Sequence, residues 1–314
     1  MTENYEVVVV GGGAAGLSAA LVLGRSRRRT LVIDAGEPRN APSAHMQGYL
    51  SRDGMSPAEF LAAGRAEIAR YGVELVQDRV VDARKDTGFT LVLAGGRAVR
   101  ARRLVIATGL RDELPDVPGL AERFGRDVLH CPYCHGWEMR DLPTGVLATS
   151  PLSVHQALMV TQWSKDVRLF LHRVDEAELT DQDLRRLAAA GVAVVPGEVA
   201  ELVVTDDRLT GVRLAGGTSG QGAVHDRAVL YAAPRAVPNN ELLVRLGADM
   251  HDTPFGSYPV IDERGLTSVP GLWAAGNASG FSEQVVNAVS RGYRAGAAIN
   301  AELLMTDLDA AVGV

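Results

Sequence analysis

The sequence predicts an α/β fold in which one three-layer, dinucleotide-binding-type domain is inserted into another. Three observations carry that expectation. An apolar run, a glycine-rich turn, an Ala/Leu-rich helical stretch and a second apolar run follow one another over residues 7–34, the order of a strand–turn–helix–strand unit. Two more apolar runs end on Ala107-Thr108-Gly109 and on Gly276-Asn277, far apart in the chain. Between them lies another βαβ-like stretch, bracketed by the turn-rich segments "LRDELPDVPG" and "APRAVPNN", which suit two crossing linkers. Both units then read as Rossmann-like.

Bulk properties agree. A chain of 314 residues, 46% of them apolar, can bury two cores. The net charge is −6, and the arginines are scattered apart from Arg25, Arg27, Arg28 and Arg29, which read as a solvated helix end. The basic stripe of a nucleic-acid binder is missing, so no nucleic-acid partner is expected. The opening "YEVVVVGGG" shows neither a charged leader nor a long apolar segment; a cytoplasmic protein without a membrane partner is expected.

In "VVVVGGGAAGLSAALVLGRSRRRTLVID", Gly11 allows the tight turn, Gly13 lets backbone approach a pyrophosphate at a helix N-terminus, and Gly16 permits close packing. Asp34 stands near the spacing of the acid that holds a ribose 2′-hydroxyl, and its charge disfavours a 2′-phosphate. FAD and NAD share this fingerprint. After it, "DAGEPRNAPSAHMQGYLSRDG" forms a long loop without helical periodicity.

The next chemical signal, "HCPYCHGWEM", holds every cysteine of the chain, Cys131 and Cys134. A structural zinc wants four ligands, usually as two pairs, and no second CxxC or HxxxH exists, so no metal is expected. A disulfide staple would be unusual in a reducing compartment, which leaves a redox couple. His135 follows at once and can accept and return a proton near neutral pH, or hydrogen-bond a turn. Trp137 and Glu138 read as packing and helix-start residues.

With the ATG of residues 107–109, the central CxxC and the terminal "AAGN", the chain resembles the pyridine nucleotide-disulfide oxidoreductases of the low-molecular-weight thioredoxin reductase type, along nearly its whole length. The resemblance implies FAD as cofactor. It assigns cofactor contacts to Gly11, Gly13, Ala15, Gly16, Asp34, Asn40, Val81, Ala107, Thr108, Gly109, Gly276, Asn277, Gln284 and Val285, and places His45 as a second base lining the thiol pocket or as a surface histidine. It also implies a discontinuous FAD domain over residues 1–116 and 237–314, an inserted NAD(P)H-type domain over 117–236 that carries the redox motif, and a homodimer. The usual family residue at 277 is Asp; Asn keeps a hydrogen-bonding side chain without the charge.

The insert departs from that pattern. Where a second glycine fingerprint is expected stands "TGVLATSPLSVHQAL", with Ala148, Ser150 and Ser153 at the glycine positions and Pro151 lacking an N–H. His172 and Arg173 remain from the phosphate-binding patch, but Val174 replaces the second arginine. A nucleotide site degraded in this way predicts electrons entering from the thiol end. "CPYCHGWE", with His135 in place of the family's aspartate, resembles the FAD-dependent dithiol oxidases that close disulfides in natural products of the gliotoxin and holomycin type. That resemblance implies Cys131, Cys134 and His135 as catalytic residues, a small-molecule dithiol as substrate and O2 as acceptor. The alternatives are an NADPH-fed reductase of a thioredoxin-like protein and a flavoprotein that senses redox state without turnover.

Overall fold

The structure, a computed structural model, describes residues 3–216 and 222–313. The chain divides into two compact units, one of Met1–Ala41, Ser56–Arg111 and Ala236–Val314, the other of Pro42–Met55 and Asp112–Arg235.

In the first unit, β1 (Glu3–Val10), α1 (Ala14–Arg25), β2 (Thr30–Asp34), α2 (Pro57–Ala69), β3 (Glu74–Gln77), β4 (Val80–Lys85), β5 (Phe89–Leu93) and β6 (Ala98–Ile106) precede the first crossing, β7 (Leu110–Glu113). Val7 to Val10 are buried on both faces of the sheet, as a central parallel strand requires. The sheet order is β3-β2-β1-β6-β5-β4. Ser56 opens α2 with a reciprocal capping box to Glu59.

The second unit contains α3 (Leu120–Arg123), β8 (Val128–Leu129), α4 (Pro132–His135), β9 (Thr144–Leu147), α5 (Ser153–Val160), β10 (Val167–Phe170), α6 (Asp181–Ala189) and β11 (Ala193–Val195), then β12 (Val199–Thr205), β13 (Arg208–Leu214), β14 (Val224–Asp226) and β15 (Val229–Ala232). Strands β11-β10-β9-β15-β8 form a parallel sheet, and β12-β13-β14 an antiparallel one. Beneath them, Arg123 is almost wholly buried and pairs with Asp127 and Asp207. The loop 42–55 groups with this unit and not with the first. Its start is wedged against the turn after α3, where a Cβ on Gly125 would lie 2.7 Å from the Pro42 carbonyl oxygen.

The return crossing, β16 (Arg235–Pro238), pairs with β7, and the chain completes the first unit with α7 (Glu241–Arg245), β17 (Met250–Thr253), β18 (Gly256–Pro259), β19 (Leu272–Ala274) and α8 (Val285–Val312). β19 runs parallel to the last residues of β6. Val10 is level with Ile33 and Ile106, and Ala274 with Ile106, so the carboxyl ends of four parallel strands lie side by side. Helix α8 lies against α1 at backbone distance: a Cβ on Gly296 would stand 2.8 Å from the Ala19 carbonyl oxygen. The arginine cluster after α1 is not uniformly solvated, since Arg28 is largely buried and bridges Glu6 at 2.8 Å and Asp307 at 2.9 Å. Among the described residues no helix is long and apolar enough to cross a membrane.

Candidate active site

The two cysteines are joined as a disulfide, with Cα atoms 5.3 Å apart, at the carboxyl end of β8. Cys131 is the N-cap of α4, Pro132 occupies its first turn, and the Cys134 amide returns to the Cys131 carbonyl at 3.1 Å. The preceding backbone is pinned by Gln156, whose Nε2 donates to the His130 carbonyl at 2.6 Å. On the far side, Gly136 touches the Trp163 ring, where a Cβ would meet it at 2.6 Å, and Tyr133 meets the same ring edge-on at 6.0 Å. Both cysteines are half-buried. Among the described residues no three His, Cys, Asp or Glu side chains gather to hold a metal.

His135 stands four residues after Cys131, on the same face of the helical turn. Burial holds its pKa below the ordinary histidine value, opposed by the charge of Glu138 and by the Cys131 backbone carbonyl. Nδ1 is buried without a hydrogen-bond partner, while Nε2 lies 3.3 Å from Ser43 Oγ. Trp137 is not a packing residue: it is 65% exposed, with the Arg140 guanidinium 4.3 Å above its ring. Glu138 is exposed beyond the end of α4, not at its start. His45 presents an exposed ring, and its backbone carbonyl accepts the Ser43 hydroxyl at 2.7 Å.

In the first unit, Gly11, Asp34, the Ala107–Gly109 turn and Gly276 stand at or just past the carboxyl ends of the four strands. Gly11 follows β1 with φ +106°, close enough to the Ala107 carbonyl that a side chain would collide with it, and a Cβ on Gly16 would collide with the Gly11 carbonyl. A Cβ on Gly13 would meet nothing within 4 Å. Among the described residues, the amides of Gly13, Ala14, Ala15 and Gly16 have no acceptor, leaving an open, partly positive cradle. Asp34 accepts the Gly12 amide at 3.0 Å on one oxygen and meets Arg65 at 3.4 Å on the other. Thr108 is clasped by Asn239, exchanging bonds of 2.6 and 2.9 Å. Gly276 adjoins Ala15, and Gln284 is the N-cap of α8, which Val285 begins. Asn40 is partly buried in the loop after β2, and Val81 is exposed on β4.

Asn277 is turned into its own loop: Nδ2 donates to the carbonyls of Gly280 at 3.0 Å and Phe281 at 2.9 Å, leaving Oδ1 for other donors. Nearby, Glu283 pairs with Arg291 at 2.7 Å through one oxygen, and its other oxygen is buried with no partner. An open amide cradle and a buried acceptor short of a donor fit a pyrophosphate and a hydroxyl- and N–H-bearing group, which FAD contains. Arg65, Asn239 and Glu283 escaped the sequence reading.

The second unit's corresponding turn is closed. The Thr149 amide donates to Ser153 Oγ at 3.1 Å, and those of Ser153, Val154 and His155 donate to the carbonyls of Ser150, Pro151 and Leu152. Pro151 has no amide hydrogen to offer. The remnant basic residues are also engaged: His172 Nδ1 accepts the Val199 amide at 3.1 Å, and Arg173 pairs with Glu198 at 2.9 Å.

A family model for pyridine nucleotide-disulphide oxidoreductases matches residues 5–292. Thioredoxin reductase sirT of Leptosphaeria maculans is 31% identical over 98% of this chain and 96% of its own length. Thioredoxin reductase tcpT of Claviceps purpurea is 32% identical, covering 96% of each. The crystal structure of HlmI is similar with a TM-score of 0.93 and 48% identity, over 99% of this chain and 97% of that one.

Proposed function

Because this chain belongs to the pyridine nucleotide-disulphide oxidoreductase family, an enzyme family of FAD-binding flavoproteins, we propose that it works as a dithiol oxidase. It closes a disulfide in a small natural-product dithiol and returns the electrons to O2 as H2O2. The closed turn of the second unit carries this reading: Ser153 and Pro151 remove amides that a pyridine nucleotide's pyrophosphate needs, whereas the first unit's cradle stays open. Electrons therefore enter through the cysteines. The similarity to HlmI supports the same placement of the chemistry.

A substrate thiolate attacks Cys131 Sγ; the Cys131–Cys134 bond breaks, and Cys134 leaves as a thiolate. His135 takes the proton of the substrate's second thiol, and the resulting thiolate attacks the substrate sulfur of the mixed disulfide. Cys131 leaves, the product disulfide is released, and the enzyme holds two extra electrons on its cysteine pair. FAD, held by Gly11, Gly13, Ala15, Gly16, Asp34, the ATG turn and the Asn277–Val285 segment, supplies when bound the two-electron acceptor and the outlet to O2. The reading includes a cytoplasmic homodimer.

The names of sirT and tcpT favour a second reading, an NADPH-dependent reductase. Anaerobic protein mixed separately with a small dithiol and with NADPH discriminates the two. Loss of flavin absorbance with dithiol alone, reversed by air with peroxide formed, is the expected result. Rapid bleaching by NADPH would replace the oxidase reading with the reductase one.

A further inference from the structure

We propose that Ser43 carries the substrate's proton to His135 Nε2, which makes its hydroxyl a catalytic group of the dithiol reaction. The proposal rests on the oxidase reading for the source of that proton. His135 Nδ1 is closed to solvent, so a proton reaching the ring from outside has to arrive at Nε2. The Cys131 carbonyl also favours a hydrogen on the buried side of the ring. A neutral imidazole has a single N–H, and with that hydrogen turned inward Nε2 bears the lone pair. The atom facing it is Ser43 Oγ, 3.3 Å away. Ser43 is only half-buried, with Pro42 and Ala44 exposed on either side of it.

Ser43 Oγ also lies 2.7 Å from the His45 carbonyl. A hydroxyl has one hydrogen, and here it faces two acceptors, a carbonyl that can only accept and a ring nitrogen with a lone pair. The group of three is one hydrogen short. A single added proton completes it, with Nε2–H donating to Oγ and Oγ–H donating to the His45 carbonyl. A serine serving only its own turn would be satisfied by that carbonyl; the contact with Nε2 gains a purpose when a proton passes. In the transfer, the S–H bond of the substrate's second thiol breaks and its electron pair stays on sulfur as thiolate. Oγ gains that hydrogen while passing its own to Nε2. The ring becomes a cation, which the Glu138 charge favours, and the hydroxyl turns its new hydrogen to the His45 carbonyl. The loop 42–55 thus supplies a working atom to the unit that holds the disulfide.

Anaerobic bleaching of the holoenzyme's flavin by dithiothreitol, timed in mixtures of H2O and D2O, tests the relay. With two hydrogens in flight, the wild-type rate should bend as the deuterium fraction rises. Ser43→Ala should slow bleaching roughly 10- to 100-fold at neutral pH and straighten that dependence. Its defect should disappear at a pH where the dithiol ionises unaided. Ser43→Thr keeps the hydroxyl and should behave as the wild type does. An unchanged rate in Ser43→Ala, or a slowed rate that keeps its bend or persists at the higher pH, would overturn the relay and leave the oxidase reading intact. Absence of bleaching in wild type and variants alike would overturn the oxidase reading, and the relay with it.

Discussion

Asn277→Asp restores the usual family residue, yet it should weaken this protein. The asparagine gives both hydrogens of one nitrogen to the carbonyls of Gly280 and Phe281, at 3.0 and 2.9 Å. A carboxylate of the same shape has no hydrogen to give and would set an anionic oxygen against two carbonyl oxygens. Each lost bond is worth about 1 kcal/mol net, so the pair sums to about 2 kcal/mol. Because the loop begins at Gly276 beside Ala15 of the open cradle, the cost should reach FAD: about 2 kcal/mol corresponds to roughly 30-fold weaker binding. Titration of apoprotein with FAD, followed by flavin fluorescence, reads that change. Asn277→Ala loses the same two bonds without the repulsion and should fall between wild type and Asp. Equal FAD affinity in all three proteins would refute the clasp as a determinant of cofactor binding.

Three further outcomes follow. Gly13→Ala should fold, with FAD affinity reduced tenfold or more because the methyl occupies open cradle space, whereas Gly16→Ala should fail to give soluble holoprotein because its Cβ collides with Gly11; similar yields and flavin content for the two would contradict this. Since burial lowers the His135 pKa, the neutral base persists below the ordinary histidine range, and activity should fall only as pH drops through that depressed value. The acid limb of kcat/KM should therefore lie lower than an ordinary histidine's and vanish in His135→Gln. The same shift adds stability above the unfolded histidine's pKa that is lost as pH falls through the folded one, measurable as urea midpoints against pH. Arg123→Ala, leaving Asp127 and Asp207 without a buried cation, should cost about 3 kcal/mol, visible in the unfolding transition of the second unit.

What could be read from the chain beforehand was local. Glycines 11, 13 and 16 are legible because a tight turn, a phosphate approach and a helix contact each forbid a side chain within a few residues of one another. Cys131, Cys134 and His135 are legible because they are adjacent. The partners that finish the sites are remote in sequence: Asn239 clasps Thr108 across 131 residues, and Ser43 reaches His135 across 92. A serine in a polar loop and an asparagine in a linker have no periodicity or spacing to announce them. Trp137 failed for a related reason. Its large apolar ring suggested a core, but a cation over its exposed face supplies another environment.

The corresponding turns of the two units show how one strand–helix turn can be left open or closed to an external anion. Both place a helix N-terminus after a parallel strand, and in both the orphan amides must be satisfied. In the first, small residues leave them to an external anion; in the second, Ser153 and the 150–155 turn satisfy them internally. A ligand phosphate would have to displace those bonds before gaining its own, so affinity is lost even where the strand and helix are unchanged. Closing an anion site thus requires no new fold: the Ser153 hydroxyl and the carbonyls of the 150–155 turn take up amides that a phosphate would otherwise meet.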